Sequence, residues 1–342
     1  MKMRAAVFDK PGQPLVVREI DVPAPGLHHL LIRVKRCGIC GSDLHLTDVH
    51  SSWNVPSGCV LGHEFSGEVV EAGAAVRDQW QPGDRVTALP YIGCGQCAFC
   101  MRGESFHCPH TLRLPTGDLV GGYGEYMVIG AREAVRLADH VSWEEGAFTE
   151  PLAVGLHAVA MSRIRPGAPV LVLGAGPVGL ACAAMARRLG AGHVAVAARS
   201  DRRAELGRAM GADSFLVSDD RLGEAFADAA GAAPDVIYEC VGTPGMMQCA
   251  SDLAPVKGEI IMAGACNGHE TLFGITPTLK ELTYRYAACY TIAEFAHAQR
   301  LIATGEVNPM PMFDGTVSLD ALPQAFEDLR ANKTACKLML TF

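Results

Sequence analysis

Val170-Leu171-Val172-Leu173-Gly174-Ala175-Gly176-Pro177-Val178-Gly179 is the stretch that decides the fold. Four consecutive apolar residues predict a strand covered on both faces. Glycines at 174, 176 and 179 follow at once, and then a helix with Val178, Ala181, Met185 and Leu189 on one face. A lone G-x-G-x-x-G pattern is weak. Between a strand and a helix it has a mechanism, because the glycines allow a tight turn and let a pyrophosphate approach the helix N-terminus. Further strand candidates at 193–196, 214–217, 236–239 and 259–262 alternate with helices, which implies a parallel, doubly wound sheet. Gly174, Gly176, Pro177, Val178, Gly179 and Val241, just past the strand at 236–239, are the expected dinucleotide contacts.

The end of the second strand, about 20 residues past the glycines, is where NAD-specific members of this fold carry an acid that holds the ribose 2′-hydroxyl. Counting from Gly179, and back from Gly211-Ala212-Asp213, places that position at Ala198. Arg199 and Ser200 come next, with Arg202 and Arg203 close by. Without the carboxylate, repulsion toward a 2′-phosphate is gone, and arginine adds a fork of donors that fits phosphate. The pattern predicts a preference for NADP over NAD. Arg199 is the expected main contact, supported by Ala198, Ser200 and Arg203. The bland alternative is that Arg199 is a solvated surface charge and both cofactors are accepted. Asp201 lies close enough to blur the count.

Outward from this core, Gly38-Ile39-Cys40-Gly41-Ser42-Asp43-Leu44-His45 and Gly62-His63-Glu64 bring sulfur, nitrogen and oxygen donors. That mixture suits zinc, and three protein ligands would leave the open position that marks a catalytic zinc. Glu150, in Thr149-Glu150-Pro151-Leu152, is a further candidate as third or exchangeable ligand. Taken singly, Cys40 reads as a small buried hydrophobe and His63 as a core histidine. Cys94-x-x-Cys97-x-x-Cys100-x7-Cys108 is more specific, since four thiolates at this spacing close a tetrahedral structural zinc with no room for substrate. Only Arg102 and Arg113 lie near it, which disfavours a nucleic-acid zinc ribbon.

Short strands separated by Pro-Gly turns at 11–12 and 25–26 predict a mostly β region that carries the metal residues. A helix is expected over 144–165, with Glu144 and Glu145 at its positive end. Helices at 293–304 and 320–331 and a strand at 336–341 are expected to return to the first domain. The expected domains are 1–152 with 290–342, and 153–289. At 342 residues two domains are the prior. Apolar residues make up 49% and charged ones 19%, which fits a globular protein and argues against disorder. A net charge of −8 argues against nucleic acid as a partner. Apolar runs near 170–186 are broken by Gly and Pro, which argues against a membrane span. Thirteen cysteines without a signal-peptide pattern point to metal ligands and free thiols in a reducing, cytoplasmic setting.

Together these residues resemble the zinc-containing medium-chain alcohol and polyol dehydrogenases over nearly the whole chain. The likeness rests on 38–45, Gly-His-Glu at 62–64, the four-cysteine lobe, Glu-Pro-Leu-Ala at 150–153 and the glycine fingerprint. Glu150, where classical alcohol dehydrogenases carry cysteine, looks more like the sorbitol, butanediol and threonine dehydrogenase branch. The resemblance implies a mostly β GroES-like catalytic domain plus a Rossmann domain of doubly wound parallel sheet, two zincs per chain, and a homodimer or homotetramer. It implies Cys40, His63 and a carboxylate from Glu64 or Glu150, direct or through water, at the catalytic zinc. Asp43 resembles the family's aspartate that orients the histidine. Ser42 and His45 resemble its proton relay, although Ser42 also reads as a helix N-cap. The implied chemistry is hydride transfer between a secondary alcohol or polyol, or the matching ketone, and a nicotinamide, with zinc lowering the pKa of the alcohol oxygen. The alternatives are a zinc-free enone or quinone reductase of this fold and a nucleotide-binding protein without catalysis. Trp53, Tyr91, Phe273 and Leu282 are candidate pocket walls.

Overall fold

The computed structural model describes residues 1–331 and 334–342 and divides into two compact units. The first comprises Met1–Glu150 and Tyr290–Phe342, the second Pro151–Cys289.

The first unit is built on a seven-stranded sheet. In order its strands are Phe313–Ser318, Lys337–Thr341, His29–Gly38, Glu64–Ala72, Arg85–Ala88 and Ala134–Arg136, with Tyr126–Gly130 also paired to His29–Gly38. The strand His29–Gly38 is central because Leu30, Ile32 and Val34 are fully buried in one core with Val69, Val86 and Phe65. Its pairing register decides the site. Gly38 lies opposite Glu64 on one side and opposite Met339 on the other. The end of one strand, the start of the next and the last strand of the chain therefore meet at one point.

The second unit is a six-stranded, all-parallel sheet in the order Ser214–Val217, His193–Ala198, Pro169–Leu173, Val236–Glu239, Glu259–Met262, Thr283–Tyr286. Val170, Leu171 and Val172 are fully buried at its centre, as a run covered on both faces must be. The helix Pro177–Arg188 follows, capped at Gly176 with proline in its first turn. Gly174 has a φ of +107°, and a Cβ at Gly179 would sit 2.0 Å from the Gly174 carbonyl oxygen, so this turn closes only without side chains. Ala181 and Met185 are buried as expected, whereas Leu189 is exposed, because the buried face runs instead through Leu180, Cys182, Ala183 and Ala186.

Several elements differ from the sequence reading. The helix expected over 144–165 is two helices, Trp143–Ala147 and Thr149–Met161. Pro151 lacks the N–H that would bond back into a preceding turn, so the first helix ends and a new one begins. The C-terminal end falls short because Pro166-Gly167 turns the chain. The strands Phe313–Ser318 and Thr283–Tyr286 were not anticipated, since both are half exposed rather than apolar runs.

Candidate active site

The sheet register assembles the first cluster. Cys40 lies two residues past Gly38 and His63 one before Glu64, so their pairing brings Cys40, His63 and Glu64 within 4.8 Å of one another by their ligand atoms. Gly62 holds the left-handed φ of +95° that the turn into His63 needs, and a Cβ there would strike Tyr123 and Cys37.

His63 is held by its far nitrogen. Its Nδ1 lies 3.3 Å from Asp43 Oδ1, and the Tyr123 hydroxyl donates to Asp43 Oδ2 at 2.6 Å. This leaves Nε2 to face Cys40 and Ser42. Burial alone would push Asp43 up, but His63 and the Tyr123 hydroxyl outweigh it and hold the carboxylate below its usual range. Burial alone would likewise push His63 down, yet Asp43 and Cys40 hold it well above the usual imidazole value. The cluster favours a positive charge at this point. Sulfur, nitrogen and oxygen donors in a half-buried pocket that favours a cation fit a zinc ion.

Ser42 and His45 sit on the helix Gly41–Leu46. The N-cap of that helix is Cys40 with no side-chain cap bond, so the capping role considered for Ser42 is not what the structure shows. The Ser42 hydroxyl instead donates to Cys40 Sγ at 3.2 Å and lies 3.5 Å from His63 Nε2.

The two candidate carboxylates have different partners. Glu64 is 1% exposed, and the buried Lys337 ammonium donates to its Oε1 at 2.7 Å and Oε2 at 2.5 Å. The third Lys337 donor goes to the Ile39 carbonyl at 3.1 Å. Glu150 is not within the Cys40, His63 and Glu64 cluster. Its Oε1 accepts a 2.8 Å bond from the Tyr290 hydroxyl. Burial, opposed by His63, pushes Glu150 up to about 7. The ring of Tyr290 stacks on Phe295, and Tyr91 donates to the Tyr290 carbonyl at 2.9 Å.

Lys337, Tyr123 and Tyr290 were missed by the sequence reading. A lysine within Cys336-Lys337-Leu338-Met339-Leu340 was the one available signal, since a charge inside an apolar strand needs a partner. The suggested pocket walls differ in exposure. Tyr91 is buried in packing, Leu282 joins the core of the second unit, and Trp53 and Phe273 are 51% and 70% exposed.

Cys94, Cys97, Cys100 and Cys108 form the second cluster, with sulfurs within 4.8 Å of one another. Backbone N–H groups point at the sulfurs: Cys94 N to Cys108 Sγ, Cys100 N to Cys97 Sγ and His110 N to Cys108 Sγ. The N–H groups of Gln96 and Cys97 pull Cys94 down to about 6, whereas burial holds Cys100 at about 12. Four convergent sulfurs supported in this way fit a closed tetrahedral zinc.

In the second unit Gly176 has open space where a side chain would be, and the strand after the glycines ends at Ala198. Arg199 and Ser200 are exposed. Arg203 reaches back to donate to the Ala175 carbonyl of the glycine loop at 2.8 Å. Val241, 41% exposed, has its N–H fixed at 2.6 Å on the buried Glu239 carboxylate.

Comparison with known proteins agrees with this geometry. Residues 26–139 match the alcohol dehydrogenase GroES-like domain and residues 177–304 the zinc-binding dehydrogenase domain. The chain is 31% identical to sorbitol dehydrogenase of Bacillus subtilis (strain 168), over 99% of this chain and 97% of that one. It is 32% identical to L-threonine 3-dehydrogenase of Pyrococcus horikoshii over 97% of each. Its fold superposes with a TM-score of 0.87, at 31% identity and full coverage of both chains, on a zinc-binding dehydrogenase from Sinorhizobium meliloti 1021 bound to NADP. The chain belongs to the zinc-binding, GroES-like alcohol dehydrogenase family, and is an oxidoreductase that moves hydride between an alcohol and a nicotinamide cofactor.

Proposed function

We propose that the protein is an NADP-preferring dehydrogenase of a secondary alcohol or polyol, or a reductase of the matching ketone, that holds two zinc ions per chain. Cys40 and His63 would hold the catalytic zinc together with a carboxylate or water. When bound, the metal supplies a Lewis acid that lowers the pKa of the substrate hydroxyl. Asp43 fixes the tautomer and direction of His63. Ser42 accepts the substrate proton and passes it toward His45 on the same helix; its hydroxyl position beside Cys40 Sγ and His63 Nε2 supports this role. The bidentate ion pair with Lys337 makes Glu64 a fixed, neutralised neighbour of the metal. Glu150, held by a single hydroxyl donor, is the carboxylate free to approach it. Cys94, Cys97, Cys100 and Cys108 would hold the second, structural zinc.

The observation that carries the cofactor preference is the strand end itself. The strand stops at Ala198, with no acid there and with exposed Arg199 and Ser200 following. Arg199 would take the 2′-phosphate, Ser200 would support it, and Arg203 would brace the glycine loop. Sorbitol dehydrogenase and L-threonine 3-dehydrogenase among the relatives support a secondary alcohol as substrate, and the NADP-bound neighbour supports the dinucleotide.

A homodimer or homotetramer is supported by the apolar residues beside the outer strand Thr283–Tyr286. Val256, Phe273, Ile275, Leu279 and Tyr286 are each between 48% and 73% exposed there, on a sheet edge that invites pairing. Buried thiols such as Cys37, Cys59 and Cys182, none of them in a disulfide, support a cytoplasmic setting. No helix among the described residues is long and apolar enough to cross a membrane.

The test is the ratio of kcat/KM for NADP and NAD with a panel of sorbitol, xylitol, 2,3-butanediol and threonine. NADP should lead, and Ala198→Asp/Arg199→Leu should reverse the order. A wild type that favours NAD by more than about tenfold, roughly 1.4 kcal/mol, contradicts the reading.

A further inference from the structure

Cys182 and Cys240, in the second unit, have no part in either metal cluster. Cys182 lies on the helix that begins at the glycine loop, and Cys240 directly follows the strand Val236–Glu239. Their sulfurs are 3.8 Å apart. Cys94 and Cys100, whose sulfurs are 4.0 Å apart, belong instead to the four-cysteine lobe. Cys182 is completely buried, whereas Cys240 is partly open to solvent. Cys240 also touches the nucleotide loop. Its N–H donates to the Leu173 carbonyl at 2.9 Å, and its carbonyl packs against Gly174, where an added Cβ would lie 3.3 Å from the oxygen. The next residue, Val241, is one of the expected dinucleotide contacts.

We infer that Cys182 and Cys240 are an oxidation site whose disulfide weakens binding of the dinucleotide. The inference rests on the reading of the glycine loop as the dinucleotide site. A disulfide needs the sulfurs at about 2.05 Å, so they must close by nearly 2 Å. Cys182 is fixed in a packed helix, and the interior does not yield freely. The movement therefore falls on Cys240, on Val241 after it, and on Gly174, which packs against the Cys240 carbonyl.

The oxidant is a hydroperoxide, with hydrogen peroxide as the simplest case. The Cys240 sulfur, on the partly exposed residue of the pair, attacks one peroxide oxygen as thiolate; the O–O bond breaks, hydroxide leaves and a sulfenic acid forms. The Cys182 sulfur then displaces the sulfenic hydroxyl, and the S–S bond forms. In total two thiols give up two electrons and two protons, and one peroxide becomes two waters. The neighbouring Cys182 and burial both hold Cys240 well above the usual thiol range, so the reaction is slow at neutral pH and quickens as pH rises.

The experiment uses the full-length, zinc-loaded protein. NADP affinity is measured calorimetrically on the reduced enzyme, after hydrogen peroxide, and after re-reduction with dithiothreitol. Peptide mapping identifies cross-linked cysteines, and zinc content in the same samples separates oxidation of the four-cysteine lobe. The expected result is a Cys182–Cys240 peptide, NADP binding weakened at least tenfold, and recovery on reduction. Cys182→Ala should bind NADP like wild type and lose the peroxide effect; Cys240→Ala serves the same purpose if the first variant does not fold. By linkage, saturating NADP should raise the reduction potential of the pair by about 30 mV for each tenfold difference in affinity. Oxidation elsewhere without this cross-link, or the cross-link with unchanged affinity, overturns the inference. A reduced enzyme that binds neither NADP nor NAD would instead overturn the dinucleotide reading, while the peptide map would still judge the cysteine pair.

Discussion

Replacing Lys337 by methionine removes one member of the most deeply buried ion pair near the metal cluster. Lys337 is 2% exposed and Glu64 1%. All three Lys337 donors are used, two on Glu64 at 2.7 and 2.5 Å and one on Ile39 at 3.1 Å. Methionine matches the length of the stem but leaves the Glu64 carboxylate buried without its counter-charge. Breaking a buried pair from one side costs about 3–5 kcal/mol, whereas removing both charges is much cheaper. Lys337→Met should therefore lose about 3–5 kcal/mol, and Lys337→Met/Glu64→Gln should recover at least about 2 kcal/mol of that. Urea unfolding followed by tryptophan fluorescence reads the right unit, because Trp53, Trp80 and Trp143 all lie in the first one. The midpoint should fall at unchanged slope, which marks a change in stability rather than in the surface exposed. A single variant that loses less than about 1 kcal/mol, or a double variant whose loss is the sum of the singles, would refute the claim that Lys337 neutralises Glu64.

Other outcomes follow from the same geometry. Ser42→Ala should lower turnover about 10²–10⁴-fold with nucleotide affinity unchanged, and His45→Ala should be milder because water can replace it at the exit; an unimpaired Ser42→Ala enzyme removes the relay. Tyr123→Phe should leave Asp43 with one donor fewer and weaken zinc binding about 10–100-fold in a chelator competition, and unchanged affinity would show that Asp43 needs no such support. Burial holds Glu239 above the usual carboxylate range against the N–H groups of Val241 and Gly242. The folded state thus binds this proton more tightly than the unfolded one, so stability falls as pH rises from the ordinary carboxylate pKa through the raised one. Glu239→Gln should flatten that slope in calorimetric unfolding, and a slope identical to wild type would show that Glu239 does not titrate there.

Much of this was readable because it is local. The run 170–173, the glycines after it and the cysteines at 94, 97, 100 and 108 are short-range patterns whose physics needs few neighbours. Cys40 and His63 were readable as a pair only because each stands in a cluster of donors. Lys337 was not, since it lies 273 residues from Glu64 and reaches it only through the pairing of Met339 with Gly38. Tyr290 and Tyr123 were hidden for the same reason: a tyrosine shows its hydrogen-bond partner only when the fold has brought a carboxylate to it. The strand Thr283–Tyr286 escaped because an outer strand is half polar, and the long helix over 144–165 was overextended because Pro151 suits a first helical turn as well as a break.

The central claim is that Cys40 and His63 hold a zinc on which turnover depends, apart from a second zinc that serves folding. Zinc per chain, measured alongside nicotinamide reduction for wild type, Cys40→Ser and Cys97→Ser, tests it most directly. The account predicts two zincs and turnover in wild type. It predicts one zinc, an intact fold and no turnover in Cys40→Ser, and a destabilised chain that has lost the lobe zinc in Cys97→Ser. One zinc per wild-type chain, or full turnover in Cys40→Ser, would contradict it.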